Sequence, residues 1–367
     1  MKNDSNSKGA SKPLILLTLV FMAFLSAAQN PEKLVFTDAS LLPLIGKGFE
    51  DTENRYERLP ANLKEKTRPP VWQLSTNCSG LAIRFRSNSG TIAARWEVTG
   101  DVVMNHFTPT GIKGLDLYCL VNGEWQFVNS ARPTGKSTQA VIISNMKKED
   151  REFMLYLPLY DGLANLEIGI DAGSTIGDPI VDSPKRNKPV VFYGTSITQG
   201  GCATRAGMSY TNILSRKLDR EIINLGFSGN GKLDLEIAEA MTKIEASCYV
   251  IDCLPNVTTE IMNEKYVPFI EILRTAKPEV PIILIENVQY THMLFDEKTA
   301  SNIKDKNQLL GKIWKDLKKK DRLIYYVKAD RLIGSDLEGT VDGVHLTDLG
   351  FLRMSEILYP KLKKRIR

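Results

Sequence analysis

The chain lacks the usual marks of a metal-dependent hydrolase. It has no CxxC pair and no HExxH helix, and its 367 residues include only three histidines, His106, His292 and His345. A dedicated metal site is therefore not expected, because zinc centres draw three or four ligands from such motifs. Cysteine is scarce as well. Cys78, Cys119, Cys202, Cys248 and Cys253 are too few for a disulfide scaffold, and their odd number leaves at least one unpaired within the chain. Charge of one sign is also missing: 48 Lys and Arg face 43 Asp and Glu, which gives no argument for a nucleic-acid partner. Beyond residue 28 there is no long apolar run, internal repeat or low-complexity tract.

The first 28 residues stand apart. Lys2, Lys8 and Lys12 precede an apolar run from Leu14 to Leu25, and Ser26-Ala27-Ala28 supplies small residues for cleavage. This pattern predicts a signal peptide over 1–28, hence a periplasmic or extracellular mature protein with no stable membrane span. The alternative is an uncleaved N-terminal anchor. No cysteine follows the run to carry a lipid. Three lysines and one aspartate leave with the leader, taking the formal +5 to +3. The basic residues from Lys361 to Arg367 close an expected helix, where cations suit the macrodipole.

The remainder reads as two halves with different periods. After a polar stretch over about 30–75, Leu81, Ile83 and Phe85 alternate with other residues, as do Ile92, Ala94 and Trp96, and Leu115, Leu117 and Cys119. Asn122-Gly123 is a hairpin signal, and further apolar runs follow at 140–143, 153–159 and 166–170. Residues 29–181 are thus expected to form an all-β sandwich, jelly-roll-like, followed by a polar linker over 182–188. From 189 to 367 apolar strands alternate with amphipathic helices, which predicts an α/β domain: a three-layer, doubly wound, flavodoxin-like parallel sheet.

In such sheets reactive groups sit past the carboxyl ends of the strands. The first strand of the second half runs into Gly194-Thr195-Ser196-Ile197-Thr198-Gln199-Gly200-Gly201, which places Ser196 at the rim as a nucleophile or as a helix N-cap. The second ends in Gly226-Phe227-Ser228-Gly229-Asn230-Gly231, whose GxxGxG order is not the GxGxxG of dinucleotide sites. The third ends in Asp252-Cys253-Leu254-Pro255-Asn256, where Asn256 is an amide donor or a turn residue. Asp342-Gly343-Val344-His345 precedes the last helix and offers a general base with a carboxylate to orient it. Two other motifs fail. Gly194 to Thr198 is not GxSxG, and Gly135-Lys136-Ser137 lacks the phosphate-loop glycine at position 130.

The order Ser, Gly, Asn, Asp and His resembles the SGNH hydrolase family, also called GDSL esterases and lipases, over about 188–367. The resemblance implies a catalytic triad of Ser196, Asp342 and His345. It also implies an oxyanion hole made of the Ser196 and Gly229 N–H groups and the Asn256 side chain. Thr195 departs from it, standing where the family has aspartate in Gly-Asp-Ser. Gly114-Leu115-Asp116-Leu117-Tyr118 resembles the GxDLY motif of a sandwich domain that precedes one bacterial branch of these hydrolases.

The implied chemistry is acyl transfer through a covalent serine intermediate, with no metal and no organic cofactor. The expected partner is a small-molecule or glycan ester, with acetyl groups on carbohydrate favoured by export and by the sandwich. A lipase or thioesterase acting on another ester is the alternative, as is a non-catalytic glycan-binding protein on the same scaffold. Asn105 and His106, in a polar loop of the first half, are candidate substrate-binding residues. The oligomeric state is not legible.

Overall fold

The structure is a computed structural model that describes residues 33–366, so the expected leader over 1–28 lies outside the described residues. The first half builds two antiparallel sheets. One runs in the order Leu34–Asp38, Leu163–Asp171, Ile92–Val98, Ser137–Ile143. The other runs Ile176–Gly177, Ala82–Ser87, Arg151–Tyr156, Leu115–Val121, Glu124–Ala131, with Leu44–Ile45 added to Ala82–Ser87. Ile92, Ala94, Trp96 and Ile168 of the first meet Ile83, Phe85, Leu117 and Leu155 of the second in one apolar core, which makes a sandwich.

The larger sheet is buried on its other face too. Ala82, Tyr118, Met154 and Tyr156 join a second core with residues of the C-terminal half. That explains why Arg84, among the alternating apolar residues, is itself buried, bonded to Glu152 at 2.9 Å.

The second half is a five-stranded parallel sheet in the order Arg220–Gly226, Lys185–Gly194, Cys248–Asp252, Ile282–Ile285, Ile324–Val327. This 2-1-3-4-5 order is the flavodoxin-like winding expected from the alternating elements. Side chains of the strand Lys185–Gly194 alternate between faces, as the pleat demands. Val190 and Phe192 pack with the helices Tyr210–Leu218 and Asp348–Lys363, whereas Val191 and Tyr193 pack with Leu235–Met241, Thr259–Ala276 and Glu297–Lys318. Gly194 lies level with Gly226 on one side and Asp252 on the other, so the loops after three strands open at one rim.

Two stretches differ from the sequence expectation. The polar segment over 30–75 carries a strand at Leu34–Asp38 and a helix at Pro69–Ser75, and its Phe49, Leu59, Leu63 and Val71 pack onto the parallel-sheet half. These apolar residues are too widely spaced on irregular backbone to show a period. The stretch expected as a linker over 182–188 is partly a strand. Lys185 pairs with Arg220, while the Ser183 hydroxyl donates to Asp219 at 2.5 Å and accepts from Trp125 Nε1 at 3.0 Å. Exposed polar side chains decorate a strand end as readily as a loop, so composition alone does not separate the two.

Candidate active site

Ser196 follows the strand Lys185–Gly194 by two residues. Thr195, not Ser196, is the N-cap of the short helix Ser196–Gln199: its hydroxyl accepts from Ile197 N–H at 3.2 Å, and Thr198 completes a capping box. A threonine hydroxyl is a common N-cap, as an aspartate carboxylate is. The Ser196 hydroxyl is left free of capping. Its N–H, first in the helix, has no intrahelical acceptor. Gly194 permits the approach of the next strand, because a Cβ there would lie 2.5 Å from Asp252 O.

The loop before the last helix brings His345 to Ser196. His345 Nε2 lies 3.0 Å from Ser196 Oγ, and His345 Nδ1 lies 2.7 Å from Asp342 Oδ2. Asp342 Oδ1 accepts from the N–H groups of His345 at 2.8 Å and Val344 at 3.0 Å. Partial burial opposes ionisation of Asp342, but the His345 side chain and these two N–H groups outweigh it and hold the carboxyl down at about 2. An ionised Asp342 fixes the Nδ1–H tautomer and leaves the Nε2 lone pair facing the serine hydroxyl.

Gly229 and Asn256 come to the same rim. Gly229 has φ +66°, a left-handed conformation that glycine adopts without strain, and no neighbour crowds its Cβ side. The preceding N–H, of Ser228, is anchored to Gln199 Oε1 at 3.0 Å. Asn256 ends the turn Leu254–Asn256, and its Oδ1 accepts from Gly231 N–H at 3.1 Å. With the carbonyl oxygen so used, the amide nitrogen remains as the donor. Beneath the turn, Lys306 Nζ donates to Leu254 O at 2.9 Å and Asn287 Oδ1 at 3.1 Å, and burial pushes its ammonium down to about 8.

Asn105 and His106 also reach this rim from the sandwich half. The His106 ring lies 5.6 Å from that of His345, and its Nδ1 is 3.0 Å from Asn105 Oδ1. His292 packs instead against Gly343. All five cysteines are free and buried, and burial holds the Cys202 thiol up at about 12, far from a competing thiolate. A groove of about 1250 Å³ lies elsewhere, along the helix Glu297–Lys318 by Trp314 and Tyr326. Size does not make it the reactive centre, since it contains none of the residues above.

Several supporting residues carry no local sequence signal. Arg58, fully buried, donates to Asn224 O at 3.0 Å and Gly226 O at 2.8 Å, and so ties the first half to the strand that leads to Gly229. Tyr160 OH donates to Ser196 O at 3.2 Å. Asp252 sits under the helix Ser196–Gln199, accepting from Tyr210 OH at 2.7 Å and Thr198 Oγ1 at 3.1 Å, and burial raises its carboxyl to about 7.

Residues 187–363 match the GDSL-like lipase/acylhydrolase family, and residues 34–176 match the GxDLY family, the N-terminus of SGNH-hydrolase-type esterases. A GDSL-like lipase from Bacteroides ovatus is 37% identical, with a TM-score of 0.87 over 91% of this chain and 99% of that one. The chain belongs to the GDSL-like lipase/acylhydrolase family. It is thus related to enzymes that hydrolyse esters. More distant structures share the fold. A salicylyl acyltransferase from a tetracycline biosynthetic pathway is 17% identical, with a TM-score of 0.72 over 91% of this chain and 99% of that one. An acetyl xylan esterase from the rumen bacterium Butyrivibrio proteoclasticus is 12% identical, with a TM-score of 0.58 over 90% and 98%. No curated protein matches.

In this acylhydrolase the GxDLY motif has a physical purpose. Asp116 Oδ2 accepts from Arg205 Nη1 at 2.7 Å and Gly207 N–H at 2.8 Å, and Tyr118 OH lies 2.6 Å from the same guanidinium nitrogen. The motif therefore clasps the loop that follows the helix Ser196–Gln199, a contact that strand alternation alone does not reveal.

Proposed function

We propose that this acylhydrolase is an exported serine esterase that removes O-acyl groups, acetyl first among them, from carbohydrate. The observation that carries the chemistry is the continuous chain from Ser196 Oγ through His345 to Asp342, with contacts of 3.0 and 2.7 Å. Ser196 attacks the ester carbonyl while His345 Nε2 takes its proton, and Asp342 stabilises the resulting imidazolium. The Ser196 and Gly229 N–H groups and the Asn256 amide face the developing oxyanion. His345 then protonates the leaving alcohol and activates the water that releases the acid.

The carbohydrate assignment rests on the rim. Asn105 and His106 bring polar, exposed groups from the sandwich to within reach of His345, a setting that suits a hydroxyl-rich alcohol. The acetyl xylan esterase of the same fold names the substrate class to try first. The leader over 1–28 would place the enzyme where such glycans are met.

The test is hydrolysis of p-nitrophenyl acetate and of acetylated xylo-oligosaccharides by the mature chain and by Ser196→Ala. Release of acetate from both substrates by the wild type, with loss of at least about 1,000-fold in the variant, is expected. Equal rates for the two proteins would remove Ser196 from the mechanism. Turnover of the aryl ester without the sugar ester would overturn the carbohydrate assignment alone.

A further inference from the structure

Three side chains able to ligate a soft divalent metal converge beside the nucleophile. His106 comes from the sandwich half, Cys202 from the turn after the nucleophile helix, and His345 from the loop before the last helix. One ligand atom of each lies within 4.8 Å of the others. Chain spacing gives no hint of this grouping, because the three residues belong to loops distant in sequence.

The two imidazoles are held in the same manner. Nδ1 of His345 faces Asp342 Oδ2 at 2.7 Å, and Nδ1 of His106 faces Asn105 Oδ1 at 3.0 Å. With a proton on each Nδ1, both rings present the Nε2 lone pair. An oxygen acceptor on the far ring nitrogen is the usual way a metal-ligating histidine is oriented. Cys202 is fixed from the backbone, since it is buried and adopts φ +73°, uncommon for a residue with a side chain. Bonds of 2.0–2.3 Å in a tetrahedron separate ligand atoms by about 3.3–3.8 Å. Closing the cluster from its present span takes about 1 Å of movement, which the exposed His106 and half-buried His345 side chains can share.

We propose that His106, Cys202 and His345 form an inhibitory zinc site, in which Zn²⁺ occupies the Nε2 lone pair that otherwise accepts the Ser196 proton. Cys202 gives its thiol proton to solvent and binds as thiolate, so a thiophilic cation is selected over Mg²⁺ or Ca²⁺. The effect on turnover rests on His345 being the general base proposed above, whereas metal binding does not.

The chelator-stripped mature chain, titrated with Zn²⁺, Co²⁺ and Mg²⁺, tests both parts. Micromolar Zn²⁺ is expected to inhibit p-nitrophenyl acetate hydrolysis, reversibly by chelator, and Mg²⁺ to have no effect. Cys202→Ser and His106→Ala, each compared with its own metal-free rate, are expected to raise the half-inhibiting Zn²⁺ concentration at least about tenfold. Co²⁺ is expected to give a thiolate-to-metal absorption band in the wild type and none in Cys202→Ser. Unchanged half-inhibition in both variants would put the metal on His345 alone and overturn the site, as would the absence of the cobalt band from the wild type. The His106 side chain is exposed, so its variant reports on the site even if Cys202→Ser folds poorly. If the metal-free wild type shows no esterase activity, the esterase reading fails and the cobalt band still decides the metal site.

Discussion

Asp116 of the sandwich and Arg205 of the loop after Ser196 meet at 2.7 Å across the junction of the two halves. Their contact is one end of a longer connection. The hydroxyls of Thr108 and Thr110 donate to Thr204 O at 2.7 and 2.6 Å, and Thr204 N–H donates to Asp348 Oδ1 at 2.9 Å, three residues beyond His345. The sandwich thereby braces both the loop after Ser196 and the loop that carries His345. Arg205→Ala leaves Asp116, which is almost wholly buried, without its counter-charge and held only by Gly207 N–H and the Ser130 hydroxyl, and such a loss costs up to about 3–5 kcal/mol. Denaturant unfolding is expected to show that loss together with a fall in kcat. The double variant Asp116→Asn/Arg205→Ala is expected to be more stable than Arg205→Ala, because no charge is then stranded. If the double variant is the less stable, the clasp is not electrostatic.

Much of the fold was legible because parallel strands buried on both faces read as short apolar runs, such as Pro189 to Tyr193. The loops that hold Ser196, Gly229 and Asn256 followed from where those runs end, and the loop that holds His345 from its place directly before the last helix. Other features were hidden. Two of the carbonyls that Arg58 serves, those of Asn224 and Gly226, lie more than 160 residues away along the chain, and Lys306 supports the Asn256 turn from the interior of a helix. Neither position has a period or motif to betray it. Arg84 looks like a solvent-facing member of an alternating strand, yet the second half covers that face of the sheet. Contacts between halves are set by docking, which local patterning does not encode.

Asp342→Asn tests what the carboxylate adds to His345. The amide oxygen can still accept a backbone N–H, but an amide nitrogen opposite Nδ1 favours the wrong tautomer. A fall in kcat of about 10⁴ is expected on p-nitrophenyl acetate. Because hydrogen bonds hold Asp342 down at about 2, it should contribute no titration to the wild-type rate profile above about pH 3. A variant within tenfold of the wild type would show that His345 is oriented by something else.

Asn256→Ala separates transition-state contact from substrate binding. If the amide meets only the oxyanion, kcat should fall by about 100- to 1,000-fold with KM little changed. Steady-state kinetics on one acetyl ester decide this. A rise in KM at constant kcat would instead place Asn256 against the ground-state substrate.

Asp252→Asn should change how stability depends on pH. Burial raises the Asp252 carboxyl to about 7, whereas an unfolded aspartate releases its proton near 3.8. Between those values the folded chain holds a proton that the unfolded chain has lost, so stability falls as pH rises from about 4 to about 7 and stays lowered above. Three pK units correspond to an upper bound of about 4 kcal/mol. The asparagine variant keeps an acceptor for Tyr210 OH and Thr198 Oγ1 but has no proton to lose. Its melting temperature is expected to exceed the wild-type value by a few degrees at pH 8 and to match it near pH 4. Glu221, also raised to about 7 by burial, accepts from Gly46 N–H at 2.6 Å and leaves a residual slope in the variant. Adding Glu221→Gln should flatten that remainder. Parallel melting curves for Asp252→Asn and wild type from pH 4 to 8 would mean that Asp252 is already ionised in the folded chain, with the Tyr210 and Thr198 hydroxyls sufficient to hold its charge.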